Sequence, residues 1–174
     1  MIKKNMLKKM ILCLAFLGNS YVYAQNSFEF NRNQPIDITA NSLSVDDGQS
    51  MGYFDGGVDV IQGKFHLRCD NLKIEYDNAG SNGNTVIGGK IKQMTASGHV
   101  LLTNGTENAK AEKMIYDVAN KKITLSGNVL VSRQNSVLSG DVIDIMTESK
   151  QISVRSNSKK RIHSVIHLNE LKND

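Results

Sequence analysis

Cys69-Asp70-Asn71-Leu72-Lys73-Ile74-Glu75 decides the fold, because its pattern recurs along the chain. The pattern is a small residue, an acid or amide, two apolar residues spaced two apart, and usually a closing acid. Side chains alternate across a β-strand, so Leu72 and Ile74 share one face while Lys73 points away. The pattern returns as Ala40-Asn41-Ser42-Leu43-Ser44-Val45-Asp46, as Ala111-Glu112-Lys113-Met114-Ile115-Tyr116-Asp117 and as Gly140-Asp141-Val142-Ile143-Asp144-Ile145. A second unit, Gly-x-Val, appears as Gly56-Gly57-Val58, Gly98-His99-Val100 and Gly127-Asn128-Val129. First units start at 40, 69, 111 and 140, and second units at 56, 98 and 127. Both sets step by 29 or 42 residues, so one insertion of 13 between 69 and 98, where the Gly/Asn-rich stretch 78–89 lies, explains the long step in each. A repeat of this length predicts stacked strand units that cannot bury their apolar faces alone and share one continuous apolar interior.

The rest of the chain agrees. Ile36-Asp37-Ile38, Val58-Asp59-Val60, Phe65-His66-Leu67, Ile123-Thr124-Leu125 and Ile152-Ser153-Val154 are further apolar-polar-apolar triplets. No stretch of ten residues carries a clean 3.6-residue period. Turn signals such as Asp46-Asp47-Gly48, Asn104-Gly105 and Ser126-Gly127-Asn128 separate the triplets. The expectation is an all-β sandwich, barrel, jelly roll or solenoid.

The N-terminus reads as an export signal. Lys3, Lys4, Lys8 and Lys9 precede the apolar residues 10–18, and Val22-Tyr23-Ala24 offers a cleavage site after Ala24. The expected organisation is a signal peptide over 1–24, a lead over 25–35, one domain over 36–168 with an insertion near 78–90, and a flexible tail over 169–174. The whole chain has 21 Lys and Arg against 17 Asp and Glu, a formal charge of +4. Removing the four signal lysines leaves 17 of each, so the basic balance that would favour nucleic acid disappears. The expected partner set therefore excludes nucleic acid. Cys69 is then the only cysteine left and reads as a small buried hydrophobe rather than a reactive thiol.

Catalytic signatures are missing. There is no G-x-S-x-G, H-E-x-x-H, P-loop or C-x-x-C. His163 and His167 would share a strand face about 13 Å apart, too far for one metal ion. The acids heading the repeats recur with the architecture, and Asn41 replaces one of them, so turn and capping hydrogen bonds explain them better than calcium binding or glycoside hydrolysis. No enzyme, metal or cofactor is expected. Near the C-terminus Arg155, Lys159, Lys160 and Arg161 form a basic cluster, read either as a solvated edge or as a rim facing phosphate groups.

The segment Gln34-Pro35-Ile36-Asp37-Ile38-Thr39-Ala40-Asn41-Ser42-Leu43, the Gly-x-Val turns and the Tyr116-Asp117 to Val129 block resemble the OstA-like family over about residues 36–155. The resemblance implies a twisted, open β-jelly roll of about sixteen short antiparallel strands. It implies a periplasmic protein that carries lipopolysaccharide through an apolar groove from the inner to the outer membrane. It also implies head-to-tail stacking with copies of itself and with inner-membrane and outer-membrane partners of the same family. The free-standing soluble kind fits best, because a cleavage site follows the apolar leader and no large barrel follows the repeats. Physical chemistry agrees: exposing a twelve-carbon acyl chain to water costs about 9 kcal/mol at about 0.8 kcal/mol per CH₂. Alternation and repeat register nominate a lining from each strand. From the first half come Ile36, Ile38, Leu43, Val45, Phe54, Val58, Leu67, Leu72 and Ile74. From the second come Val100, Leu102, Met114, Tyr116, Ile123, Leu125, Val129, Val131, Ile143 and Ile145. Each is equally a candidate for an ordinary core. The competing classes are a carbohydrate-binding domain, weakened by the absence of Trp, and a self-assembling structural domain.

Overall fold

A computed structural model of the chain describes Phe28 and residues 34–77, 90–156 and 161–166. The expected signal peptide, most of the lead, the insertion, the tail, Lys159, Lys160 and His167 lie outside the described residues. Ten strands form one antiparallel sheet. They are β1 (Asp37–Thr39), β2 (Ser42–Asp46), β3 (Met51–Gln62), β4 (Phe65–Asp77), β5 (Lys90–Thr103), β6 (Glu107–Asp117), β7 (Lys122–Arg133), β8 (Ser136–Met146), β9 (Ile152–Arg155) and β10 (His163–Val165). β2 and β1 pair with the two ends of β3, and β9 and β10 pair with the two ends of β8. The sheet is therefore an up-and-down meander of eight rows, whose first row is β1 with β2 and whose last is β9 with β10. The first and last rows do not pair with each other, so the sheet is open.

The sequence reading predicts about sixteen short strands, and the described residues form ten. The difference is one of continuity. β3 to β8 run 11 to 14 residues and pass straight through the positions where the Gly-x pairs suggest a turn. At those positions the ladder does not stop but shifts register, between Asp55 and Val58, Ser97 and Val100, and Ser126 and Val129. Each shift is a bulge in which two residues oppose one: Gly56-Gly57 face Asp70, Gly98-His99 face Glu112, and Gly127-Asn128 face Asp141. All six bulge residues have positive φ, from 46° at His99 to 82° at Gly56. Glycine reaches this region freely, and His and Asn tolerate it better than most side chains.

The bulges align from row to row into a crease. On one side lies arm A (β2, β9 and the segments 51–55, 71–77, 90–97, 113–117, 122–126 and 142–146). On the other lies arm B (β1, β10 and the segments 58–62, 65–69, 100–103, 107–111, 129–133 and 136–140). Leu72, Ile74, Met94, Ile123, Leu125 and Ile143 of arm A and Val58, Val60, Leu67 and Leu102 of arm B are all 2% exposed or less and belong to one cluster. Among the described residues no second layer exists to cover a sheet with one buried face, so the arms cover each other. The heads of the first units turn inward at the inside corner, where room is least. Cys69 and Ala111 are buried there, and a Cβ on Gly140 would meet Val154 Cγ1 at 2.7 Å.

Asp77 and Lys90 are cross-strand partners at the tips of β4 and β5, and just inside them the ladder shifts register between Glu75 and Tyr76, leaving Lys92 as an extra residue on β5. From Asn71 with Ser97 to Glu75 with Gln93 the ladder is regular, so the strand segments beside the crease are in step.

Candidate functional site

The apolar inner face is the candidate. Of the nineteen nominated lining residues, fifteen are buried: Phe54, Val58, Leu67, Leu72, Ile74, Val100, Leu102, Met114, Tyr116, Ile123, Leu125, Val129, Val131, Ile143 and Ile145. Ile36 and Ile38 are half-buried and pack against this cluster. Val45 is half-buried, and Leu43 is 45% exposed. These last two face inward, opposite Gly52 and Phe54, but they stand in the first row, where no further strand among the described residues covers them. Ile152 is in the same position in the last row, opposite Ile145 and 46% exposed. The inner face is therefore sealed in the middle and bare at both ends.

The same face holds residues that the sequence reading passed over: Phe28, Val60, Phe65, Met94, Ala96 and Ala109. Val60 and Phe65 belong to triplets and were legible by period. Met94, Ala96 and Ala109 sit among polar neighbours, and only the strand register puts them inside. Cys69 joins them, its thiol pKa pushed up to about 11 by burial, with the neighbouring Asp70 charge adding to the effect. A thiolate is the reactive form, so this cysteine is inert packing.

Away from the crease, the strand tips of the two arms form the lips of the interior. Between them a cleft of about 810 Å³ is lined by Gln34, Ile36 and Gln62 from arm B's side and by Glu75, residues 90–94 and residues 116–119 from arm A's side. Its apolar floor is Ile36, Ile91, Met94, Tyr116 and Val118. Its rim is polar. Lys73 pairs with Glu75 at 2.7 Å, and Lys92 lies 3.9 Å from Asp77. The Asn120 backbone and side-chain amides donate to Asp117 at 3.0 and 2.7 Å and hold its carboxyl below the usual range. An apolar trough with charged lips suits an amphiphile with its polar part outside.

The acids heading the repeats act in the crease. His99 Nδ1 donates to Asp70 at 2.8 Å, Asn128 Nδ2 to Glu112 at 2.6 Å, and Ser156 Oγ to Asp141 at 3.1 Å. Asn41 donates its backbone N–H to the Gly56 carbonyl at 3.0 Å. Each serves a neighbouring strand, and no group of three metal-ligating side chains occurs among the described residues. In the basic cluster, Arg155 donates to Asp144 at 2.6 Å, so it is already paired with an anion. Arg161 is exposed.

The family described as LptA/(LptD N-terminal domain) LPS transport protein matches residues 37–151. The chain belongs to that family. The LptA/LptD N-terminal match runs from β1 to the residue before β9, so it spans the crease and both arms. Among its curated relatives, the lipopolysaccharide export system protein LptA of Haemophilus influenzae is 27% identical over 161 residues, covering 88% of this chain and 90% of that protein. The LptA of Escherichia coli K12 is 27% identical over 135 residues, 77% of this chain and 71% of that protein. The crystal structure of LptH, described as the LptA-homologous periplasmic component of a lipopolysaccharide transport device of Pseudomonas aeruginosa, superposes with a TM-score of 0.65 over 79% of this chain and 98% of that one, at 21% identity. The all-β open sheet is thus the fold of this family.

Proposed function

We propose that this chain is a non-enzymatic periplasmic carrier that shields the acyl chains of lipopolysaccharide between its two arms on the way from the inner to the outer membrane. One observation carries the reading: a single folded sheet whose apolar inner face runs without interruption from one unpaired edge to the other. The acyl chains would enter through the lips at Ile36, Ile91, Met94 and Tyr116. In the free protein the arms pack on each other, so loading exchanges arm–arm contacts for arm–lipid contacts. Apolar area stays out of water throughout, and the hydrophobic cost of opening is largely returned. The saccharide and phosphates remain at the polar rim. Arg161, with Lys159 and Lys160 beside it in sequence, is the proposed phosphate-facing group, and Arg155 contributes less because Asp144 holds it.

Copies would join end to end through the unpaired first and last rows, and the same edges would receive inner-membrane and outer-membrane members of the family. Eight rows of alternating direction leave the first and last rows antiparallel, so adding a copy continues the meander. A sugar-binding module is disfavoured, because Phe54, Phe65, Tyr76 and Tyr116 are buried and form no exposed platform.

A photo-crosslinking residue at Ile36 or Ile38 should capture lipopolysaccharide, and the same residue at outward-facing Thr124 should not. Absence of adducts at both inner positions would remove the carrier reading.

A further inference from the structure

Phe28 is the odd member of the interior. Among the described residues, every other buried apolar side chain sits in β3 to β8, the full-length rows of the sheet. Phe28 comes nine residues before β1 and lies in no strand. Yet its ring is 1% exposed and belongs to the same cluster as Phe54, Val60, Leu67 and Met94.

The chain is fixed again at the mouth of the interior. Gln62 Nε2 donates to the Gln34 carbonyl at 2.9 Å. A Cβ on Gly63, in the turn between β3 and β4, would meet Gln34 Oε1 at 2.6 Å. Gln34, Ile36 and Gln62 all line the cleft between the lips. Six residues separate Phe28 from Gln34, so the tether holds the Phe28 Cα within about 22 Å of that mouth.

The ring differs from its neighbours in what it takes to move it. A side chain of β3 to β8 leaves the interior only with its strand, which is hydrogen-bonded to a neighbour on each side. Phe28 can leave without breaking a ladder or parting the arms. The expected cleavage after Ala24 makes it the fourth residue of the mature chain, close to a free end.

Resting on the carrier reading above, we propose that Phe28 is a displaceable plug. Its ring holds a place in the apolar interior of the empty carrier, and an acyl chain takes that place on loading. Both occupants are apolar, so the interior stays filled in either state. Burial of one phenyl side chain is worth about ten- to a hundredfold in an equilibrium constant. The ring therefore weakens acyl-chain binding by up to that factor, because only the fraction of molecules with the ring withdrawn can accept the chain. An amphiphile with several acyl chains overcomes this readily, since each chain offers more apolar surface than the ring. A plug also keeps the mouth side of the interior closed while no cargo is present.

The test uses the exported protein with a photo-crosslinking residue at Ile36 or Ile38, titrated with purified lipopolysaccharide. In Phe28→Ser, the concentration that gives half-maximal capture should fall about tenfold or more. A second variant reports on the ring position itself. The chain contains no tryptophan, so Phe28→Trp introduces a single indole. Iodide should fail to quench that indole in the empty protein and should quench it once lipopolysaccharide is bound. Where Phe28→Ser does not fold, the indole decides alone. Unchanged or weaker capture by a folded Phe28→Ser would make Phe28 a fixed part of the core and overturn the plug. An indole that stays protected in the loaded protein would do the same. Both results leave the carrier reading standing, because lipopolysaccharide is still captured. No capture at Ile36 or Ile38 in any of these proteins would overturn the carrier reading and the plug together.

Discussion

Gly57 and Gly98 occupy the crease with similar backbones, φ +62° and +74°, but in different surroundings. Nothing lies within 4 Å of a Cβ at Gly57, whereas at Gly98 it would collide with the Asp70 side chain back to its own Cβ. Gly57→Ala should therefore cost only the left-handed strain, about 1 kcal/mol. Gly98→Ala adds displacement of Asp70 and loss of its bond to His99, and should cost about 2–3 kcal/mol. Urea midpoints of the two variants check the difference, and equal midpoints would show that the crease is not a packed contact. The Gly-x spacing is plain in the amino-acid sequence. Its meaning is not, because a glycine followed by a polar residue suggests a chain reversal unless a neighbouring strand's acid is seen lying over it.

At the scale of elements, β9 is held to β8 by Asp144. Its carboxylate accepts from Thr124 Oγ1 at 2.8 Å and from Arg155 at 2.6 Å, and lies 3.2 Å from Lys122. Burial pushes the Asp144 pKa up, but the Thr124, Arg155 and Lys122 contacts outweigh it and the net shift is downward. A carboxyl depressed in the folded state stabilises the fold above its unfolded pKa of about 3.9, and that contribution is lost as pH falls through the lower folded value. Asp144→Asn should cost about 1–2 kcal/mol near neutrality, because both cationic partners keep solvent contact. It should also flatten the fall in stability below about pH 4. Denaturation curves at pH 3 and pH 7 read both effects. Sequence patterning put Ile143 and Ile145 inside correctly, since period 2 survives any register. It gave no hint of Asp144, whose partners come from β7 and β9 and depend on the register in which those strands pair with β8. The same limit explains Met94 and Ala96, which no alternation of large apolar residues marks. It also explains Leu43, whose pattern matches Leu72 but whose row has no outer neighbour.

For the molecule as a whole, protection should be graded by row. Amides of β4 to β7 have a partner strand on each side, whereas β1, β2, β9 and β10 have one. Hydrogen exchange should be slowest in the former and fastest in the latter. Conditions that favour stacking should slow β2 and β9 together, while uniform exchange across the rows would contradict the meander. The crease carries a further consequence for cargo. In the proposed carrier, a wall that repeats every two rows, about 9.6 Å along the stack, would present an acyl chain with a series of near-equivalent resting places. Motion along such a wall is a one-dimensional random walk over shallow barriers. Its direction then has to come from what happens at the two ends: a supply that keeps the first site filled and a sink that empties the last.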